Sequence, residues 1–260
     1  MLMINVVKIG GNVIDNPEAL AAFLSNFSRL EGKKILVHGG GKEATRIGES
    51  MGIKANMIDG RRVTDRATLD IVTMVYAGLI NKRIVAMLQG FGCNAVGLTG
   101  ADGNVIPATR RPSEPIDYGF VGDIDPAKVN DRFIASLLEG GAVPVFCAIC
   151  HDCNGTLLNC NADTIASSVA LAASRIGVTR LTYCFEKPGV MSDVNDEDSV
   201  IPLVTEDSFE RLKEEGIVAA GMLPKLQNAL KSAREGVAEV RICRADDLLK
   251  EDKGTKIKTC

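Results

Sequence analysis

The sequence contains no tryptophan, only two histidines and few aromatic residues, which make up 4% of its 260 residues. Its 30 basic side chains do not outnumber its 33 acidic ones, so there is no excess of positive charge to attract a polyanion. Proteins that bind single-stranded nucleic acid stack the bases on aromatic side chains, which are scarce here. The composition therefore predicts that nucleic acid is not a partner.

Long apolar runs are missing as well. The longest candidate, residues 133–150, is interrupted by Glu139, Gly140, Gly141 and Pro144, whereas a membrane-spanning helix needs about 20 apolar residues. The N-terminal residues lack the basic and then apolar pattern of a secretory leader. Eight cysteines in a chain of this length do not indicate a small disulfide-bonded scaffold. We expect a cytoplasmic protein with reduced thiols and no membrane partner.

Apolar, strand-like runs alternate with helical patterns along the chain, which predicts an α/β fold around a mainly parallel sheet covered on both faces. The predicted strands are residues 4–9, 35–37, 95–98, 143–149, 181–185, 240–243 and 256–258. The predicted helices are residues 16–32, 43–51, 65–89 (capped by Thr64 and bent at Gly78), 134–139, 162–174, 209–215 and 225–235. Turn residues predict hairpins in 101–124 and 191–205. Ligands of such sheets bind beyond the carboxyl ends of strands, so the loops after strands are the candidate functional segments.

A glycine-rich loop follows each of the first two predicted strands. In Lys8-Ile9-Gly10-Gly11 the lysine lies near the end of a buried strand, where an unpaired ammonium group is costly, and the glycines expose backbone N–H groups to an anion. Residues 38–42 (HGGGK) lie between a strand and a helix, as in an anion-binding loop at a helix N-terminus, but lack the spacing of a Walker A loop. The alternative for Lys8 is a solvent-reaching lysine beside a plain turn.

Two motifs favour other chemistries, each weakly. Gly39, Gly41 and Ala44 fit a dinucleotide-binding pattern, with Asp59 twenty residues beyond Gly39. Four cysteines resemble an iron–sulfur motif: Cys147, Cys150, Cys153 and Cys160. The fourth cysteine comes too late for that motif, and residues three apart on a strand face opposite sides. We therefore interpret the cysteines as buried packing residues and predict no protein-bound metal or cluster.

Charged residues also lie where three further segments meet helices. Arg62 is suited to clamp a carboxylate with two parallel hydrogen bonds, although a solvated loop is the alternative. Asn161 and Asp163 lie at a helix start, where capping alone accounts for both. Lys225 lies at another predicted helix start, where the helix dipole disfavours a cation. This lysine therefore needs an anionic partner, either a protein carboxylate or a phosphate.

Together these segments resemble the acetylglutamate kinase family of the amino acid kinase superfamily. The match runs in order over nearly the whole chain and includes residues 8–11 (KIGG), 37–41 (VHGGG), 60–64 (GRRVT), 119–122 (GFVG), 159–163 (NCNAD), 221–225 (GMLPK) and 254–257 (GTKI). Each motif is modest alone, while their order and spacing together are specific. They outweigh the dinucleotide and cluster interpretations.

The resemblance implies a three-layer αβα sandwich, the amino acid kinase fold, in one domain of residues 1–260. Residues 1–175 would bind N-acyl-L-glutamate and form a homodimer, and residues 176–260 would bind ATP with Mg2+ carried on its phosphates. The implied reaction phosphorylates the γ-carboxylate of the acylglutamate, an early step of arginine biosynthesis. Sister kinases of the superfamily and a non-catalytic ligand sensor are the alternatives.

The resemblance also implies the roles of individual residues. Lys8 and Lys225 would stabilise the phosphoryl group in transfer, Asp163 would orient both lysines, and Gly11 would supply a backbone donor. The implied acylglutamate ligands are Gly40, Gly41, Arg62 and Asn159. The implied nucleotide contacts are Gly10, Phe185, Lys187, Gly189 and Gly221.

This chemistry agrees with the residues present, because a γ-carboxylate with an ordinary pKa of about 4.3 is already ionised and needs no general base. Phosphoryl transfer then depends on positioning and on cations that face the transferring oxygens. Two departures from the family pattern affect specificity. Residues 183–189 replace an aspartate-bearing turn, and Cys150 replaces a glycine near the acyl pocket. We expect an N-acetyl substrate, with N-succinyl as the alternative.

Overall fold

The computed structural model describes residues 3–58, 60–218 and 222–259. The strands are β1 (Ile4–Ile9), β2 (Lys33–His38), β3 (Asn56–Ile58), β4 (Arg61–Val63), β5 (Ala95–Leu98), β6 (Ala108–Arg110), β7 (Gly122–Ile124), β8 (Val143–Phe146), β9 (Ile149–His151), β10 (Leu157–Asn159), β11 (Thr179–Phe185), β12 (Leu203–Val204), β13 (Glu239–Arg244) and β14 (Thr255–Ile257). The α-helices are α1 (Gly11–Asp15), α2 (Pro17–Ser28), α3 (Gly41–Ser50), α4 (Arg66–Thr73), α5 (Asn81–Gly90), α6 (Asp131–Glu139), α7 (Ala162–Ser174), α8 (Glu206–Glu214) and α9 (Leu223–Arg234).

Within the described residues, eight strands form one sheet in the order β12-β14-β13-β11-β1-β2-β8-β5. β1 pairs in parallel with β2 on one side and with β11 on the other, and all six of its residues are buried. A strand that is buried on both faces lies between two layers, which is why β1 is apolar apart from Asn5 and Lys8. In the rest of this sheet the pairing is also parallel, except that β14 runs antiparallel to β13. The structure confirms the predicted α/β fold.

The carboxyl ends of three central strands lie side by side. Ile9 at the end of β1 is paired with His38 at the end of β2 and with Cys184 near the end of β11. The loops that begin at Gly10 and Gly39 and the turn after Phe185 therefore leave the sheet at one edge. Helix α7 packs against β1 and β11, and α9 packs against α7, so the starts of both helices approach the same edge.

Some predicted elements have different bounds or neighbours in the structure. Thr64 is not the cap of the long third helix, because the Asp65 carboxylate accepts the hydrogen bond from the Thr68 N–H at 2.8 Å. The predicted strand 143–149 is divided into β8 and β9, since β9 leaves the sheet to pair with β10. Short helix α1 and the β3–β4 hairpin were not predicted.

The two predicted hairpins have different outcomes. The region 101–124 contains the antiparallel pair β6–β7, as expected. The region 191–205 contains only a bridge between Met191 and Val200, together with short β12. Side chains in this region accept hydrogen bonds from nearby backbone N–H groups: Asp193 and Asp196 each accept one from the residue two positions later. Such local bonds compete with a strand ladder.

The long helix predicted over 65–89 is continuous but changes its winding. Between α4 and α5 lies a π-helical segment, Met74–Ile80. Every fourth residue along the stretch is buried: Val72, Tyr76, Ile80, Ile84 and Leu88. In a regular α-helix such a stripe would rotate by about 40° per step and leave the core. The wider π-helical turns hold it against the core, and Gly78, where a bend was expected, lies within this π-helical segment.

By length and apolar composition alone, this stretch of 25 residues, Arg66–Gly90, could cross a membrane. In the fold, its buried side chains belong to the same hydrophobic core as those of the sheet. Its other face carries charged residues such as Arg66, Asp70 and Arg83. The apolar stripe is therefore accounted for by the core of this protein.

His38, the last residue of β2, is fully buried. Its Nδ1 lies 2.8 Å from the Gly39 carbonyl oxygen, and the side-chain amide of Asn81 donates to its Nε2 at 3.0 Å. The same Asn81 amide donates to the Val145 carbonyl oxygen at 2.9 Å. These contacts fit a neutral imidazole protonated at Nδ1. Burial, opposed by the bond to Gly39, lowers the pKa of His38 to about 4.

We expect His38 to make the protein less stable in mild acid. As pH falls from about 7 to about 4.5, the unfolded chain protonates its histidine at about pH 6.5 while the folded protein largely does not. The free energy of unfolding should therefore fall by about 2 kcal/mol over this range through His38 alone. Urea unfolding at about pH 7 and about pH 4.5, in the parent and in His38→Gln, measures it. The curves should converge as pH falls; parallel curves would contradict the assignment.

Candidate active site

A buried carboxylate between two lysines forms the centre of the site. Lys8, on β1, approaches Oδ1 of Asp163 with its Nζ at 2.6 Å. Lys225, in the first turn of α9, lies with its Nζ 3.9 Å from Oδ2 of the same carboxylate. Asp163 is in the first turn of α7, where Asn161 caps the helix by accepting from the N–H groups of Asp163 and Thr164. The structure thus brings together three residues that are far apart in the sequence.

The environment of Asp163 keeps its carboxyl group ionised. The side chains of Lys8 and Asp163 are each only 10% exposed, and that of Lys225 is 26% exposed. Burial alone would raise the pKa of Asp163, but the charges of Lys8 and Lys225 outweigh it and hold this pKa below its usual range. Two ammonium groups and one carboxylate leave a net charge of about +1, which favours an anionic ligand.

The two helices that follow the glycine-rich loops have no side-chain cap. Gly10 and Gly40 occupy the N-cap positions of α1 and α3, and neither helix start is capped by a side chain. The starts of α5 and α9 also lack one. By contrast, side-chain oxygens cap α2, α4, α6, α7 and α8: those of Asn16, Asp65, Asn130, Asn161 and Thr205. The first N–H groups of α1 and α3, including those of Gly11 and Gly41, are therefore suited to an external anion.

Glycine is required at the start of α3. Gly40 has a φ of 150°, which residues with a side chain rarely adopt, and a side chain there would collide with Ile80. A methyl group at Gly41 would meet Arg62 Nη2 and the Tyr76 hydroxyl, each at 3.9 Å. The backbone of this loop is therefore enclosed by the side chains that surround it.

Arg62 and Asn159 line the same region from two other elements. Arg62, on β4, donates through Nη2 to the Gly41 carbonyl oxygen at 2.9 Å and to Thr45 Oγ1 at 2.7 Å. Asn159, at the end of β10, donates to Thr64 Oγ1 at 3.0 Å. Thr64 connects them, because its hydroxyl donates to the Arg62 carbonyl oxygen at 3.2 Å and accepts from Asn159. Phe120 adds a second link, because its N–H donates to the Thr64 carbonyl oxygen and its carbonyl oxygen accepts from the Asn159 N–H. The substrate ligands implied by the resemblance therefore lie in one connected network.

The end of β11 and the turn after it contain three of the residues assigned to the nucleotide: Phe185, Lys187 and Gly189. Phe185 packs beside Gly10, where a methyl group would lie 3.2 Å from Phe185 Cβ, and the Gly10 N–H donates to the Cys184 carbonyl oxygen at 2.8 Å. Lys187 donates to the Val194 carbonyl oxygen at 3.3 Å.

Gly189 is enclosed by the last part of the sheet. A methyl group there would come within 2.7 Å of Thr255 Oγ1, so close packing also demands glycine. Gly221, the remaining nucleotide residue implied by the resemblance, lies outside the described residues.

The cysteines are arranged for packing. Cys147, Cys150 and Cys160 are buried, whereas Cys153 is exposed with its Sγ 3.6 Å from Asn104 Oδ1. Burial raises the pKa of Cys147 to about 12, so its thiol stays protonated at neutral pH. Across the described part of the chain, no group of three His, Cys, Asp or Glu side chains could hold a metal ion.

Sequence reasoning missed the residues that support the site rather than form its motifs. Thr45 and Tyr76 surround Arg62 and the start of α3, and Asn81 fixes His38 before the glycine-rich loop. Asn81 carried a weak signal, because an amide is unusual on the apolar stripe of a helix. Tyr76 carried none, because a tyrosine on that stripe is ordinary core composition.

Comparisons with known proteins agree over almost the whole length of the chain. The model of the amino acid kinase family matches residues 3–244. An acetylglutamate kinase from Cytophaga hutchinsonii is 51% identical, with 99% of each chain covered. Acetylglutamate kinases from Phocaeicola vulgatus and Methanopyrus kandleri are 48% and 40% identical, and at least 97% of this chain is covered in each comparison.

Solved structures share the fold. A crystal structure from Streptococcus mutans UA159 superposes with a TM-score of 0.83 at 26% identity, covering 99% of each chain. An N-acetylglutamate synthase from Neisseria gonorrhoeae, complexed with coenzyme A and N-acetyl-glutamate, has a TM-score of 0.83 at 21% identity, covering 100% of this chain and 60% of its own. The second likeness concerns the fold alone. Taken with the family model and the relatives at 40% to 51% identity, the chain belongs to the amino acid kinase family, among its acetylglutamate kinases.

Proposed function

We propose that the protein transfers the γ-phosphoryl group of ATP to the γ-carboxylate of N-acetyl-L-glutamate. The observation that carries this proposal is the placement of Lys8 and Lys225 on one buried carboxylate, Asp163, beside two helix starts without side-chain caps. Such an arrangement offers fixed positive charge and backbone donors to phosphate oxygens. The names of the relatives supply the substrate.

The reaction needs little more from the protein than placement and charge. The attacking γ-carboxylate is already ionised at neutral pH, so no proton has to be removed. Lys8 and Lys225 would stabilise the charge on the transferring phosphoryl oxygens, and Asp163 would hold both ammonium groups in place. The N–H groups of Gly11 and Gly41 would add donors from the starts of α1 and α3.

We assign Mg2+ to the nucleotide rather than to the protein. When bound with ATP, it neutralises charge on the nucleotide phosphates. Asp163 is engaged by two lysines, and the described residues contain no ligand set for a metal ion. In our proposal, residues 176–260 bind this nucleotide, with contacts from Phe185, Lys187, Gly189 and Gly221. Gly10, in the glycine-rich loop after β1, adds a further contact.

The acylglutamate would be bound by residues 1–175. Arg62 would pair with the carboxylate that does not react, while Gly40, Gly41 and Asn159 would bind the remainder of the substrate. An N-succinyl substrate is the alternative, and one observation favours it.

The guanidinium groups of Arg110 and Arg66 lie 4.8 and 5.9 Å from the centre of the Phe120 ring, and Phe120 joins Thr64 to Asn159. These cationic groups would attract the carboxylate that a succinyl group has and an acetyl group lacks.

We further propose that the reaction serves arginine biosynthesis in the cytoplasm and that the protein is a homodimer formed through residues 1–175. The relatives' names support the pathway. The sheet supports the interface, because its outermost strand in this half is β5, and the backbone groups at an outer edge can pair with another chain.

The activity is tested by trapping the acyl phosphate product. Incubation with ATP, Mg2+ and hydroxylamine should produce a hydroxamate from N-acetyl-L-glutamate, because hydroxylamine attacks the acyl phosphate and releases inorganic phosphate. N-succinyl-L-glutamate, L-glutamate and L-aspartate are assayed in parallel. A higher kcat/KM for N-succinyl-L-glutamate would identify the succinyl compound as the preferred substrate. Product formed only from L-glutamate or L-aspartate would refute the proposed substrate class.

Replacement of Lys8 by alanine should reduce kcat by about 100- to 1,000-fold, because its ammonium group is assigned to charge that moves during transfer. Affinity for N-acetyl-L-glutamate, measured by calorimetry, should change far less. Lys128→Ala removes an exposed lysine away from the site and is the control, while thermal unfolding of both variants checks the fold. A Lys8→Ala protein with a normal kcat would disprove this role.

Arg62→Ala should have the opposite kinetic signature. Its proposed contact is with a carboxylate that is the same in the ground and transition states, so its loss should raise KM for the acylglutamate by about 10- to 100-fold and affect kcat less. Steady-state kinetics of Arg61→Ala, whose exposed side chain is adjacent on β4, provide the matched control. A rise in KM for ATP alone would show that Arg62 serves the nucleotide.

A further inference from the structure

Tyr76 is a buried tyrosine that neither the motifs nor the proposed reaction uses. It lies on the π-helical segment, Met74–Ile80, and is 5% exposed. The edge of its ring lies along Gly40, where a methyl group would meet Tyr76 Cδ1 at 3.1 Å and Cε1 at 3.3 Å. The ring therefore runs along the second glycine-rich loop.

The hydroxyl group of Tyr76 reaches the region of the Arg62 guanidinium. A methyl group at Gly41 would lie 3.9 Å from the Tyr76 hydroxyl oxygen and equally far from Arg62 Nη2. Burial raises the pKa of Tyr76, while the nearby charge of Arg62 acts in the opposite direction. The phenol therefore stays protonated, and its oxygen is an acceptor beside the guanidinium.

Arg62 is held on its other sides by α3. Its Nη2 donates to the Gly41 carbonyl oxygen and to Thr45 Oγ1. These acceptors fix one end of the guanidinium plane, because the donors of an arginine form a rigid fork. An additional acceptor from the π-helical segment would restrict its orientation further, which matters for a side chain that must meet a carboxylate with two parallel hydrogen bonds.

The π-helical winding explains why Tyr76 is available for this purpose. Ile80, four residues later, packs on Gly40, and Asn81, directly after the segment, binds His38. Residues 76–81 therefore contact residues 38–41 at several points. Leu79 is 39% exposed, whereas Ile80 is buried, which is the shift of one position that the wider turns produce. Tyr76 and Ile80, four residues apart, lie on one side of the helix and both face Gly40.

We propose that Tyr76 is a positioning residue that orients Arg62 toward the non-reacting carboxylate of the substrate. This inference rests on the proposed function and deepens it, because it assigns recognition of that carboxylate to Arg62 and Tyr76 together. Tyr76 acts through the arginine and not on the transferring phosphoryl group. Its contribution should therefore exist only while Arg62 is present.

The test is a double-mutant cycle measured on N-acetyl-L-glutamate. Tyr76→Phe retains the ring and removes only the hydroxyl, so it should lower kcat/KM for the acylglutamate by about 10-fold through KM, with kcat and the KM for ATP unchanged. In the Arg62→Ala background, the same change should lower kcat/KM by less than about 2-fold, because the residue it positions is absent. Met74→Leu, an exposed substitution on the same segment, is the control and should match the parent.

Each outcome bears on a different claim. An unchanged kcat/KM in Tyr76→Phe, or equal losses in the two backgrounds, would overturn the positioning role while leaving the kinase activity of the parent intact. A loss of kcat at constant KM would also overturn it, since it would place Tyr76 at the transferring group. A parent protein that neither binds nor phosphorylates N-acetyl-L-glutamate would instead refute the proposed function, and this inference with it.

Discussion

The ion pair between Lys8 and Asp163 is the constraint around which the rest of the structure is arranged. A lysine in the central strand of a buried sheet is tolerated only with a partner, because an unpaired charge in the interior costs several kcal/mol. Here the partner is Asp163 in the first turn of α7, so the ion pair ties the start of this helix to β1. Lys225 then brings α9 to the same carboxylate, so residues from both ends of the sequence share one charge cluster.

The parts of the fold that follow local rules could be predicted from the sequence. The unbroken apolar run of β1 identified a buried strand, and its single lysine identified the site. Helix α7 was predicted with its observed bounds, residues 162–174, because an asparagine cap precedes it and a turn follows it. The order of the motifs in three distant segments predicted that Lys8, Lys225 and Asp163 belong to one site, as the family resemblance implies. The structure places these three side chains in contact.

What could not be predicted depends on tertiary contacts. Thr64 and Asp65 are both good caps by type, and only the direction of the chain after β4 decides that Asp65 takes the Thr68 N–H. Tyr76 and Ile80 of the π-helical segment pack on Gly40, and Asn81 binds His38 at the end of β2, which no local pattern reveals. The residues that support the site were missed for the same reason. Their types are ordinary for a core, and their importance lies in what they touch.

Helix starts that lack a side-chain cap couple the stability of this fold to its proposed ligands. In the proposed function, a phosphate or a carboxylate would accept from the free donors in the opening turns of α1 and α3, and would so complete these helices as Asn161 completes α7. Ligand at about 100 times its dissociation constant adds about 2.7 kcal/mol to the free energy of unfolding of such a protein. With these ligands, a fall in their supply would leave more molecules in the opened form on which proteases act, so it would shorten the lifetime of the protein.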